Sequence, residues 1–202
     1  MRVGGRVDGT AFAVVALGCS WGGMRAVSVV LEGLPPDLPA AIVVVQHRMH
    51  GPSELATMLG QHTPWDVCEA EDKEELSAGR VFLAPPGYHL LVDGDRFALS
   101  TEAPENNSRP SVDVLFASMA ESFGPRLVAV VMTGANDDGA RGLQEVARYG
   151  GTALVQDPAT AEKRAMPEAA IAAVPEALVV PLVDLAASIT ASVARRHSGA
   201  GS

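Results

Sequence analysis

The chain has 202 residues, 48% apolar and 19% charged, with 20 glycines and 14 prolines. That composition suits one domain, or at most two very small ones, with a sizeable core, and it excludes intrinsic disorder, collagen and solenoid architectures. Lys and Arg total 15 against 24 Asp and Glu, a net charge of −9, whereas a phosphate-binding surface carries a basic excess, so nucleic acid is not expected as a main partner.

Two cysteines make no disulfide framework, and neither has metal-ligand spacing, so a reducing, cytoplasmic setting is expected. No run nears the ~18 apolar residues of a membrane span. Arg2, Arg6, the apolar run 11–17 and Gly18-Cys19 superficially match a bacterial lipoprotein leader. Asp8 interrupts the basic region and the run is short, and a buried first strand accounts for the same residues.

In chain order, residues 1–12 read as a loose lead-in, 13–196 as a single domain and 197–202 as a frayed tail. The continuous apolar run 13–18 predicts a strand buried on both faces. Met24, Val27, Val30 and Leu31 space a helix over 22–33, which Leu34-Pro35-Pro36 stops. A second buried strand follows at 41–46 (AIVVVQ), then a short helix over 52–60 with Pro52 in its first turn. Strand and helix alternating at this spacing predict βαβ units and a parallel sheet.

The charged stretch 69–75 (EAEDKEE) reads as a solvated loop. Short strands at 80–84, 89–92 and 96–100, punctuated by Pro85-Pro86-Gly87 and Asp93-Gly94-Asp95, predict an antiparallel excursion. After a loop at 101–110, Ser111 caps a helix over 112–123, with Val112, Leu115, Phe116 and Met119 on its apolar face. Then come a buried strand at 127–132, a helix over 139–149, a strand at 152–155, a short helix over 167–173, a strand at 177–180 and a closing helix over 182–196. The expected fold class is α/β: a doubly wound, mostly parallel sheet with helices on both faces and an antiparallel hairpin insertion.

In open parallel sheets, ligands bind beyond the carboxyl ends of the strands. Three clusters follow strong strands: Gly18-Cys19-Ser20-Trp21-Gly22-Gly23, Gln46-His47-Arg48, and Thr133-Gly134-Ala135-Asn136-Asp137-Asp138-Gly139. The first fails as a dinucleotide loop because position 20 is Ser and no acid ends strand two, and as a P-loop because Met24 follows Gly23. It fits G-x-S-x-G over 18–22, at a strand-to-helix turn that presents Ser20 to the positive end of the next helix. Serine, histidine and an aspartate pair on one rim are the components of a nucleophilic triad. The order Ser20, His47, then Asp137 or Asp138 departs from the Ser–acid–His order of α/β-hydrolases.

GCSWGG, VVVQHR, APPGYHLLV, RPSVDVLF and VVMTGANDDGARGL together resemble, in order, the catalytic domain of the bacterial chemotaxis protein-glutamate methylesterases, over roughly 13–185. The resemblance implies hydrolysis of glutamate methyl esters on the cytoplasmic helices of chemoreceptors to glutamate and methanol, with deamidation of receptor glutamines in many members. Carried over by position, Ser20 matches the nucleophile and His47 the general base. The family's acid directly precedes glycine, which selects Asp138 over Asp137. The Trp21 and Ala135 N–H groups are the expected oxyanion donors. Arg48, Arg109 and Met166 are the cleft candidates; Arg109-Pro110 and Ala165-Met166-Pro167 match family loop segments that either line the cleft or cap the helices at 112 and 168. No cofactor or metal is implied; His47-x-x-His50 supplies only two ligands of a zinc site. His62 and His89 are expected at the surface or in loops, and Cys19 and Cys68 as small buried hydrophobes.

Two positions depart from the family. Trp21 is bulky where a small or hydroxylated residue is common, and Ala135 stands where methionine is common. They leave open a hydrolase of another ester or amide, or a non-catalytic signalling module that binds through the same cleft. The resemblance starts near residue 13, so a receiver domain of ~120 residues, usual in the family, does not fit ahead of it. Either this is a stand-alone form or that domain is omitted from the given chain. For a stand-alone form, activity that acetyl phosphate leaves unchanged is expected, and the chain is expected to be a monomer.

Overall fold

The computed structural model describes residues 12–47 and 54–198, with side chains through 195. β1 (Ala13–Cys19), β2 (Ala40–Gln46), β3 (Asp66–Glu69), β4 (Arg80–Leu83), β7 (Leu127–Val131), β8 (Thr152–Gln156) and β9 (Leu178–Val180) form one parallel sheet in the order β3-β4-β2-β1-β7-β8-β9. β5 (His89–Asp93) and β6 (Arg96–Ser100) make a separate antiparallel hairpin, turning at Gly94 with φ 63°.

Both faces of the sheet are covered, which is why the central strands read as unbroken apolar runs. Ala13, Val15 and Leu17 of β1 pack with α1 (Gly23–Gly33), α2 (Leu55–Gly60) and α6 (Leu185–Ser198). Val14 and Ala16 face the other way, toward α3 (Val112–Phe123), α4 (Ala140–Arg148), α5 (Ala165–Ala173) and the hairpin. Each fully buried Val, Leu or Ile side chain contributes about 1.5–3 kcal/mol relative to exposure. The two layers therefore hold the strand ends rigidly.

Three expectations are corrected. The segment 80–84 is no part of an antiparallel excursion: β4 runs parallel between β2 and β3, and only the β5–β6 hairpin is antiparallel. β3, where no strand was expected, occupies the sheet edge; its residues are half-exposed, so they lack the apolar run that marks a central strand. His89 is buried in β5, its Nε2 at 3.0 Å from the Ala103 carbonyl, and is not a surface residue. At the C-terminus a single 3-10 turn, Leu182–Asp184, precedes α6, which runs to Ser198. The lead-in through residue 11, Arg48, His50, the expected start of α2 at Pro52 and the last four tail residues lie outside the described residues.

The chain runs outward from β1 through β2 and returns to β1's other side at β7. The strand order thus reverses between β1 and β7, the place where a doubly wound sheet opens a crevice at its carboxyl edge. The loops after β1, β2 and β7 meet there.

Candidate active site

The first loop leaves β1 at Ser20 and enters α1 through Gly22, which has φ 77°. A Cβ at Gly22 would lie 2.6 Å from Glu162 Oε2, so glycine is required by both conformation and space. The Ser20 backbone is pinned on both sides. Its N–H donates to the Thr133 carbonyl at 2.9 Å, and its carbonyl accepts from Gln46 Nε2 at 2.7 Å and from the Gly23 N–H at 2.9 Å. In the β1–β2 register Cys19 lies opposite Gln46, so Ser20 and His47 follow side by side. The His47 N–H donates to the Cys19 carbonyl at 3.1 Å. Buried Cys19 donates its S–H to Gln46 Oε1 at 3.0 Å, and burial pushes its thiol far up, so it stays neutral and unreactive.

His47 meets Asp138, with Nε2 and Oδ2 2.7 Å apart. Asp138 is wholly buried, whereas Asp137 is exposed. The remaining acceptor sites of Asp138 face the start of α3. Oδ1 accepts from Ser111 Oγ at 2.9 Å and the Asp113 N–H at 3.0 Å, and Oδ2 accepts from the Val112 N–H at 2.8 Å. Burial alone pushes the Asp138 carboxyl up, but the His47 bond and the two helix N–H groups outweigh it and hold the carboxyl below its ordinary range. An ionised Asp138 fixes His47 with Nε2–H toward the carboxylate, so Nδ1 is the ring nitrogen left for a proton from elsewhere. In this structure Nδ1 lies 3.4 Å from Ser108 Oγ, which Asn136 Nδ2 approaches from the other side at 3.4 Å.

The opposite wall is the segment 161–166. Thr133 ties it to both other loops: its Oγ1 donates to the Trp21 carbonyl and accepts from the Lys163 N–H, both at 2.9 Å. Gly134 has no room for a side chain, since a Cβ would lie 1.8 Å from Met166 Sδ and 3.0 Å from Ser20 Cβ. Met166 itself is fully buried, so it supports the 133–135 loop from beneath and does not line an open cleft as expected. Trp21 is 61% exposed, its indole N–H donating to Glu162 Oε1 at 2.7 Å and its ring lying under Lys163 Nζ, 5.4 Å from the centroid. No backbone carbonyl of the described residues accepts from the N–H of Trp21 or Ala135, the two expected oxyanion donors. Arg109 turns away from solvent recognition: its Nη1 donates to the carbonyls of Thr101 and Glu102 at 2.9 and 2.8 Å, closing its own loop.

Asp113, Ser108, Glu162 and Lys163 act through distant partners, and none stands in a spacing that announces it; Gln46 and Thr133 stand in the rim clusters, but their roles depend on partners far along the chain. Ser111 was legible as a helix cap, and its side chain does accept from the Val114 N–H, at 3.4 Å. Its bond to Asp138 was not legible.

A family model described as CheB methylesterase matches residues 15–189. A relative in Leptospira interrogans is 41% identical over 177 residues, 87% of this chain and 92% of that one. A protein-glutamate methylesterase/protein-glutamine glutaminase of Moorella thermoacetica is 40% identical over 206 residues, 99% of this chain but 47% of that longer protein. The crystal structure of the Thermotoga maritima CheB methylesterase catalytic domain superposes with a TM-score of 0.84 at 33% identity, covering 90% of this chain and 98% of that one. Sequence and fold agree: this chain belongs to the CheB methylesterase family.

Proposed function

We propose that this chain is a protein-glutamate methylesterase that hydrolyses glutamate methyl esters on chemoreceptor helices and deamidates receptor glutamines by the same route. Ser20 is the nucleophile, His47 the general base and Asp138 the group that orients His47. The observation that carries this reading is the 2.7 Å bond between His47, on the strand end next to Ser20, and the wholly buried Asp138.

His47 Nδ1 takes the Ser20 proton as Oγ attacks the ester carbonyl carbon. The tetrahedral oxyanion is met by the N–H groups of Trp21 and Ala135, and loss of one such donor costs about 10²–10³ in rate. Collapse breaks the bond to methoxide, which leaves as methanol with the proton from His47. Water then attacks the acyl-serine with His47 again as base, releasing the glutamate carboxylate and restoring Ser20. Asp138 stays ionised throughout and stabilises the transient imidazolium. No step calls for a metal or cofactor. A cytoplasmic site of action follows from the proposed substrate, the cytoplasmic helices of chemoreceptors. Among the described residues no helix is long and apolar enough to cross a membrane.

The test is methanol release from a methylated receptor fragment. Wild type releases methanol and Ser20→Ala does not; equal release by both proteins overturns the assignment. The exposed Trp21, anchored by Glu162, favours a second reading, in which the same serine cleaves a different ester or amide. Ser20-dependent cleavage of simple esters, with no methanol from any methylated receptor, would select it.

A further inference from the structure

Two buried carboxylates lie at the starts of α3 and α4, and each serves the other's helix. Asp138, just before α4, accepts from the Val112 and Asp113 N–H groups of α3. Asp113, in the first turn of α3, accepts through Oδ1 from the N–H groups of Gly139 and Gly142 at the start of α4, at 2.8 and 2.7 Å. A helix N-terminus leaves such donors unsatisfied and carries partial positive charge, so each exchange is favourable in both hydrogen bonding and electrostatics. The helices must approach closely for the exchange to occur. A Cβ at Gly142 would lie 2.9 Å from Asp113 Cα and 2.7 Å from Phe116 Cβ, so only glycine fits.

From this geometry we infer that Asp113 is a positioning residue for the reaction: by holding the first turn of α4 it sets where the Asp138 carboxylate stands against His47. Asp113 touches neither Ser20 nor the expected substrate position, and acts through Asp138. Its other oxygen accepts from Arg141 Nε at 3.1 Å and Asn106 Nδ2 at 3.2 Å. Arg141 also pairs with Glu105 at 2.5 Å. The charged groups facing Asp113 are therefore Arg141 of α4, Glu105 behind it and Asp138 across the helix starts. Glu145 of α4 shares an open cleft of about 400 Å³ with Asp113 and Arg141, which gives water a path to this side of the pair.

The inference rests on the triad reading above, so its test carries a readout independent of turnover. The proton on His47 Nε2, held against Asp138, gives a far-downfield proton NMR resonance in the intact protein. Asp113→Asn keeps an oxygen for the Gly139 and Gly142 N–H groups but removes the charge; Asp113→Ala removes both. Asp113→Ala is expected to lower kcat about tenfold or more with KM within about twofold, and Asp113→Asn about threefold, the range for a displaced acid–base group. Both are expected to move the His47 resonance upfield. If Asp113→Ala fails to fold, Asp113→Asn decides. Wild-type kcat and resonance in a folded variant overturn the inference, as does a lowered melting temperature with both unchanged. Should Ser20→Ala prove fully active, the triad reading falls, and the resonance alone still decides the role of Asp113.

Discussion

The two sides of the crevice are built differently. On the His47–Asp138 side, the buried Asp138 carboxylate is bonded to His47 and to helix N–H groups in the interior. On the Trp21 side, an exposed indole is held by Glu162 and Lys163 at the rim. Buried, fully satisfied polar groups are costly to disturb, because a stranded partner loses its hydrogen bond in a low dielectric. Exposed pairs are screened by water and contribute little. Under the proposed function, the first side would hold the reacting geometry and the second would adjust recognition.

Asp138→Asn should have the largest effect, lowering kcat by about 10³–10⁴ through loss of the His47 tautomer; methanol release per folded enzyme measures it. A loss below about tenfold would erase the contrast. The same carboxyl marks acid stability. Held below its unfolded value, Asp138 adds stability that is full above the ordinary carboxylate range and is lost as pH falls through its lower folded value. Asp113 has the opposite sign. Burial pushes it above the ordinary range and the Asp138 charge adds to this, against the Gly142 N–H and Arg141, so it costs stability as pH rises from the ordinary value through the raised one. Urea midpoints taken from about pH 6 to 3 should therefore fall less steeply on acidification for Asp138→Asn than for wild type, and more steeply for Asp113→Asn.

Next in size, Gly142→Ala should destabilise by about 2–3 kcal/mol by forcing α3 and α4 apart, read as a lower melting temperature. Thr133→Val leaves the Trp21 carbonyl and Lys163 N–H without their shared partner and should cost about 1–2 kcal/mol. Its kcat should fall as the three loops loosen.

The smallest effect is expected at the rim. Glu162→Gln should change stability by less than about 0.5 kcal/mol and alter KM for receptor more than kcat. A large fall in kcat would mean that the exposed side also sets the reacting geometry.

Much of the parallel sheet was legible because its central strands are buried on both faces and read as apolar runs. β3 was not, since an edge strand needs no such run. The direction of β4 was not either, because three apolar residues carry no sign of which neighbour they pair with. At the site, Ser20, His47 and the choice of Asp138 over Asp137 came from local motifs at strand ends and from family order. Arg109 and Met166 came from the same resemblance, yet one closes its own loop and the other lies in the core. Residue type and position do not say which way a side chain turns.

Local pattern alone determined the alternation of strand and helix, the glycine-bounded turn at Ser20 and the three loops at one sheet edge. These follow from periodicity and backbone sterics, which act over a few residues. Only the tertiary structure decided that Asp138 is wholly buried against His47 and α3, that Asp113 returns the exchange to α4, and that Glu162 secures Trp21 across 141 positions of chain. Those bonds depend on the approach of two helices and on the reversal of strand order between β1 and β7. Long-range packing sets both, and no short stretch of sequence encodes either one.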